Sequence, residues 1–333
     1  MARAALLLLL LAASTAAAEP TTLRIASVAP DGTGWARELH AFARYVEAEA
    51  KGTLTIKLYL NGVAGDELEA GTRLERGQLD GVGSGQMLCQ KVAPSMRVLR
   101  VPGVFQNRDE ARHVVTRLQP TIESEAAHNG FVLLGSAGLG PDVLFTRQAV
   151  RNLADVRRLR LWRWDVDDVG IAASRQMGMQ VVPMRLYDAR RGYEEQRLDG
   201  FLAAPTAALA FQWSSETRYV TDLHFGYLYG CLVFSQRAFQ RLMPQQQAAL
   251  RAGAARMLVG VEELGRRQDA QLLGELFGKQ GLQKLPVSES FRAEFFTAAQ
   301  AARDRIGESL VPRALLERVL RLLADYRIEH PQR

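Results

Sequence analysis

An order of elements that occurs twice is the strongest constraint on this chain. Leu23-Arg24-Ile25-Ala26-Ser27-Val28 alternates with the period of a strand. Pro30-Asp31-Gly32-Thr33 follows as a loop offering helix caps. Trp35, Leu39, Phe42 and Val46 then recur at helical spacing until Gly52 ends the run. Leu54, Ile56, Leu58 and Leu60 alternate again and stop at Asn61-Gly62. Such a run predicts a βαβ unit with parallel strands. A short helix over Asp66–Arg76 leads into Leu79-Asp80-Gly81 and another apolar strand. The same order returns in Leu159–Trp162 (strand), Val166–Met177 (helix), Gln180–Met184 (strand), Tyr187–Glu195 (short helix) and Leu198-Asp199-Gly200. The two Leu-Asp-Gly turns lie 119 residues apart, and each precedes an apolar strand. Two echoes in one order predict two related α/β lobes.

The remaining segments connect and cover these lobes. Asp109–His128 reads as a helix and Gly130–Leu139 as a strand with a Gly-rich crossing. Leu223–Ser235 is an apolar strand able to return to the first lobe. Beyond Arg237 the chain reads as helical: Pro244–Arg267, Asp269–Gly278, Ser290–Ile306 and Pro312–Tyr326. Two α/β lobes joined by more than one crossing describe a hinged clamp. Ligands of open α/β sheets sit beyond the carboxyl ends of the strands, here facing each other across an interlobe cleft. The expected division is residues 19–140 plus 223–262 for lobe I, and 141–222 plus 263–333 for lobe II with the carboxyl-terminal helices.

The amino terminus reads as an export signal, residues 1–18. Arg3 precedes Leu6–Leu11, and Ala16-Ala17-Ala18 before Glu19-Pro20 is a small-residue cleavage site, too short a segment for a membrane anchor. Cleavage near Ala18 predicts a mature chain in the periplasm. There Cys89 and Cys231 are free to pair, but one pair 142 residues apart has no framework signature. Two buried free thiols are the preferred reading.

Charge and motifs exclude several functions. Of 42 Lys+Arg only five are Lys, and the Arg are scattered among 36 acidic residues rather than massed in a stripe. That pattern argues for a solvated surface and against nucleic acid. The five His have no zinc-ligand spacing, no G-x-S-x-G elbow or phosphate loop is present, and no nucleophile, base and orienter can be assembled. Pairs such as Asp167/Asp168, Glu194/Glu195 and Glu262/Glu263 read as solvated helix faces. A binding protein without catalytic residues, metal or cofactor is expected rather than an enzyme.

A set of ordered stretches resembles the TRAP transporter solute receptors, the DctP-type periplasmic binding proteins. They are Leu23–Ala26, Tyr59–Gly65, Leu79–Gly81, Leu99–Phe105, Asn152–Val156 before Leu159–Leu161, Pro183-Met184 and Leu198–Gly200. The likeness extends through Tyr219 into the carboxyl-terminal helices. It implies two α/β lobes with hinge strands and a long helix spanning both. It also implies closure over a small-molecule ligand, delivery to membrane permease subunits, and in some systems a helical-repeat periplasmic partner. A sensory binding protein on the same fold is the alternative role.

The departures from that family concern the ligand. The position of its carboxylate-clamping Arg is Trp162, and a second ligand-facing Arg is replaced by Val143. The polar run after the second Asp-Gly is Phe201-Leu202-Ala203, while Val28, Gly85, Leu88 and Leu186 stand where polar or aromatic contacts are common. Trp162 and Trp164 share one side of a strand and Arg163 takes the other. Ser84, Gln86, Met87 and Cys89, just past the first Leu-Asp-Gly strand, are further candidates, as are Trp213 and Tyr227. Losing one partner of a buried charge pair costs roughly 2–5 kcal/mol. A small carboxylate cannot recover this from apolar area, whereas an acyl chain or sterol gains about 0.8 kcal/mol per buried CH₂. A predominantly apolar, lipid-like ligand is therefore expected. The runner-up is a small organic acid held by a displaced clamp at Arg163 or Arg185.

Overall fold

The computed structural model describes residues 20–331, so the export signal lies outside the described residues. Four strands open the chain's first sheet: β1 (Thr21–Ser27), β2 (Leu54–Tyr59), β3 (Gly81–Ser84) and β4 (Phe131–Pro141). A second sheet follows with β5 (Val143–Thr146), β6 (Arg160–Trp164), β7 (Gln180–Met184), β8 (Gly200–Ala203) and β9 (Tyr219–Thr221). Then β10 (Tyr227–Ser235) returns to the first sheet and β11 (Gln283–Leu285) closes the second. The strand orders are β2-β1-β3-β10-β4 and β11-β9-β5-β8-β6-β7.

Both expected βαβ units form. β1 runs parallel to β2 with Ile25 opposite Leu58, and β6 runs parallel to β7 with Trp162 opposite Val182. Thr33 caps the first crossover helix, Gly34–Glu49, its Oγ1 accepting from the Ala36 N–H at 3.3 Å. That helix buries Ala36, Leu39, Phe42, Ala43 and Val46 on the first sheet.

The repeated Leu-Asp-Gly turns have one physical job in both lobes. The Asp80 carboxylate accepts from the backbone N–H and the Nε of Arg24, both at 2.9 Å. Asp199 accepts from the same two groups of Arg160, at 2.8 and 2.9 Å. Each aspartate thereby pins its strand beside the opening strand of its lobe. The glycine that follows has no room for a side chain: a Cβ on Gly200 would strike the Phe145 carbonyl, and one on Gly81 the Phe234 ring.

Three connections join the lobes ahead of the last helix. β4 passes into β5 through Asp142, and β9 passes into β10 through Asp222–Gly226. These crossings bond each other, Asp142 N–H to the Gly226 carbonyl at 2.8 Å and Phe225 N–H to the Asp142 carbonyl at 3.0 Å. The third is a helix, Pro244–Gln271, about 40 Å long at 1.5 Å per residue. It packs on Gly34–Glu49 and β4, and its continuation carries Leu272 and Phe277 into the core of the second lobe. The expected break between Arg267 and Asp269 is absent, since no Pro or Gly interrupts the hydrogen-bond ladder there; a π turn at Leu272–Leu276 comes first.

Three further expectations are corrected. Cys89 and Cys231 are joined by a disulfide, Cα–Cα 5.9 Å, and are not free thiols. β10 lies beside β3 with Cys231 opposite Ser84, which brings it under the helix Met87–Val92 that carries Cys89. The last helix, Arg313–Glu329, does not join the second lobe as grouped above. It packs on Arg108–His128 of the first, burying Val319 and Leu323, and Arg327 forks onto Glu110 at 2.7 and 2.8 Å. The helix Glu289–Arg305 does pack on second-lobe elements. β11 was not expected, because three residues at a sheet edge are too short to show a period.

Candidate functional site

A cavity of ≈ 150 Å³ lies where the carboxyl ends of β1, β3, β6 and β8 meet between the lobes. The first lobe contributes Ser27, Val28 and Ala29 from the end of β1 onward and Ser84 to Met87 from the end of β3 onward. The second contributes Trp162, Arg163 and Trp164 from β6, Leu186, Leu202, Ala203 and Trp213. Trp35 and Leu39 from the first crossover helix and Met257, Leu258 and Val261 from the long helix complete an apolar wall. The Trp162 and Trp213 rings are 4.7 Å apart, Phe211 stacks on Trp213 at 5.0 Å, and the Trp162 indole donates to the Met184 carbonyl at 3.1 Å.

The cavity's charged groups are answered from within the protein. Arg100 pairs through Nη1 with Asp142 and through Nη2 with Asp167. Arg163 Nη1 donates to Asp142 at 3.2 Å, while its Nε and Nη2 donate to Ser174 Oγ at 3.3 Å. All four charged side chains are buried, and two guanidiniums against two carboxylates sum to zero. Burial opposes the charge on Arg100, but Asp142 and Asp167 outweigh it and raise its pKa. For Arg163, burial and the neighbouring Arg100 cation win, and its pKa falls. Burial also works against the Asp167 charge, yet the two guanidiniums hold its pKa below the ordinary carboxylate value.

Glu67 plays the same part at the start of the helix Met87–Val92. Its buried carboxylate accepts from Ser84 Oγ and from the N–H groups of Gly85 (2.6 Å), Gln86 (3.1 Å), Met87 (2.6 Å) and Leu88 (3.3 Å). Converging N–H groups of this kind attract anions, and here the chain's own carboxylate takes the place. Three N–H donors at the cavity are by contrast buried without a partner: Trp35 Nε1, Trp164 Nε1 and Gln86 Nε2.

The structure thus brings Val28, Ser84, Gln86, Met87, Trp162, Trp164, Leu186, Ala203 and Trp213 together around one cavity. It does not bring Val143, Phe201, Tyr227 or Cys89 there. Val143 and Phe201 point into the second lobe's core, where Phe201 stacks on Phe145 at 4.7 Å. Tyr227 packs edge-on to Phe105 and its hydroxyl meets His224 Nδ1 at 3.0 Å. Cys89 is closed in the disulfide, and only Cys231 reaches the lining. Arg163 lines the cavity, but its guanidinium is committed to Asp142, itself a lining residue, and to Ser174. Arg185 is exposed and reaches across the cleft to Glu69 at 2.7 Å.

Trp35, Glu67, Arg100, Asp142 and Asp167 also line the cavity and are not among the residues expected there. Asp167 in particular is not on a solvated face; it caps the helix Asp168–Gln176, accepting from Gly170 N–H at 3.0 Å, and is paired with Arg100. The Asp167-Asp168 doublet beside a helix start was the available signal. Glu262 is likewise half-buried, accepting from the Gly138 N–H.

The model of the bacterial extracellular solute-binding protein family 7, DctP, matches residues 25–309. The chain belongs to this family. The DctP assignment makes it a transport receptor rather than an enzyme. Among curated relatives, the 2,3-diketo-L-gulonate-binding periplasmic protein YiaO of Escherichia coli is 23% identical over 64% of this chain and 65% of its own length. A solute-binding protein of Verminephrobacter eiseniae is 22% identical over 91% of this chain and 89% of its own. The DctP fold is seen in the sugar acid binding protein DctPAm of Advenella mimigardefordensis, in complex with galactonate. Its TM-score is 0.85 at 16% identity, covering 92% of this chain and 99% of that one. DctP7 of Bordetella pertussis, binding pyroglutamic acid, gives a TM-score of 0.81 at 17% identity over 90% and 99%. Two lobes of mixed α/β structure are thus the fold of this chain. No helix among the described residues is long and apolar enough to cross a membrane.

Proposed function

We propose that this DctP receptor serves a TRAP-type transporter by holding an uncharged, predominantly apolar ligand between its lobes and handing it to the membrane permease. One observation carries the reading: every buried cation at the cavity is already neutralised by a carboxylate of the chain, and most of the remaining wall is apolar. A carboxylate ligand would have to displace Asp142 or Asp167 from Arg163, forfeiting roughly 2–5 kcal/mol of an existing buried pair. An apolar ligand forfeits nothing and gains about 25 cal/mol per Å² buried. The lipid-like ligand expected from the sequence is narrowed by the space, because a 150 Å³ cavity matches a benzene-sized body. A sterol or long acyl chain needs the lobes held further apart.

The relatives favour a second reading. DctPAm is described with galactonate and DctP7 with pyroglutamic acid, both acids. On that reading Arg163 exchanges Asp142 for the ligand's carboxylate. Mass spectrometry of small molecules released on denaturing the purified protein, against a mock purification, separates the two. A stoichiometric uncharged molecule supports the first reading; a stoichiometric organic acid overturns it. Co-purification from the periplasm tests for the permease and for a helical-repeat partner.

A further inference from the structure

Three buried donors without acceptors belong to residues that line one small cavity, and this deepens the reading just given, on which it rests. Leaving a buried donor unpaired costs about 1–3 kcal/mol, and native proteins keep few such groups. The indole N–H can only donate, so neither Trp35 nor Trp164 can be satisfied by another donor. The buried carboxylates that line the cavity are engaged elsewhere. Glu67 is taken up by Ser84 and four backbone N–H groups, and Asp142 and Asp167 by Arg100 and Arg163. Trp162 shows the contrast, since its indole does find the Met184 carbonyl. The two orphaned indoles also come from opposite lobes, Trp35 from the first crossover helix and Trp164 from the end of β6.

We infer that Trp35 and Trp164 are specificity-determining donors to the ligand, assisted by Gln86, and that the ligand is an uncharged, ring-sized molecule carrying carbonyl-type acceptors, such as a cyclic ketone, lactone or lactam. Size follows from the cavity, ≈ 150 Å³. The lack of charge follows from the neutralised guanidiniums. The acceptors follow from the indoles. A ligand bonded to both tryptophans touches both lobes at once, so the same two bonds that select it also favour the closed clamp.

The test is calorimetric titration of the purified mature protein with four probes: cyclohexanone, δ-valerolactone, toluene and benzoate. The two carbonyl probes are expected to bind, and more tightly than toluene. Replacing Trp35 or Trp164 with 3-benzothienyl-alanine, sulfur in place of the indole N–H, keeps both fused rings and removes only the donor. Each replacement is expected to weaken the carbonyl probes about 2- to 12-fold, the worth of one hydrogen bond, and to leave toluene unchanged. Melting temperatures of the variants show that they fold. Equal binding of toluene and the carbonyl probes, with no change in either variant, overturns the donor assignment while the apolar reading stands. Benzoate binding above all other probes overturns the apolar reading itself. Failure of both carbonyl probes to bind at millimolar concentration overturns the inferred ligand class.

Discussion

Asp142→Asn tests the internal neutralisation of the cavity directly. The Asp142 carboxylate accepts from Nη1 of both Arg100 and Arg163 and is buried. Asparagine keeps its shape and its backbone bonds to Gly226 and Phe225, but turns a neutral cluster into a buried charge of +1. Breaking a buried ion pair from one side costs about 3–5 kcal/mol. At about 2.1 cal/mol/K per residue over the 312 described residues, this lowers the melting temperature by about 5–8 °C. The unpaired guanidinium then becomes an anion site. Benzoate at 100 times its dissociation constant would return about 2.7 kcal/mol, roughly 4 °C on the same scale. Differential scanning fluorimetry with and without benzoate measures both numbers. A variant that melts with the wild type, or a wild type that benzoate stabilises as much as the variant, would refute the argument.

Three other outcomes are expected. Burial outweighs the Arg108 ion pair at Asp269 and lifts its pKa to about 7, so the folded state holds this proton more tightly than the unfolded chain does. Its contribution is complete below about pH 4 and declines as the pH rises through 7, by about 4 kcal/mol at most; melting curves of Asp269→Asn should lack this decline between pH 5 and 8. Reducing the Cys89–Cys231 disulfide frees a loop closed over a separation of 142 residues, a loss of up to about 5 kcal/mol on the chain-entropy model, read as a lower urea midpoint with reductant. Trp162→Arg should weaken a neutral ring-sized probe at least 10-fold by placing an unpaired charge in the apolar wall; unchanged cyclohexanone affinity by titration would contradict this.

Much of the frame was legible because it rests on local periodicity. Strand and helix periods marked both βαβ units, and the repeated Leu-Asp-Gly turn marked equivalent places in the two lobes. The structure shows why that turn repeats, with Asp80 and Asp199 holding Arg24 and Arg160 in one manner. Candidate site residues were legible where they stood at strand ends, as Val28, Gln86, Trp162 and Trp164 do. Strand-end position misled at Val143 and Phe201: Phe201 shares a face of β8 with Ala203, but it lies two residues earlier and is buried with Val143 in the second lobe's core.

The sequence by itself determined the class of fold, the doubling of its lobes and the apolar character of the strand ends, since these depend on residue type and spacing along the chain. Only the tertiary structure decided which charges cancel. Arg100, Asp142, Arg163 and Asp167 are up to 67 residues apart and come together from both lobes and the crossing between them. The same holds for the disulfide, made when β10 returns beside β3, and for the orphaned indoles of Trp35 and Trp164. Each depends on distance and burial, and a sequence carries neither until the chain has closed on itself.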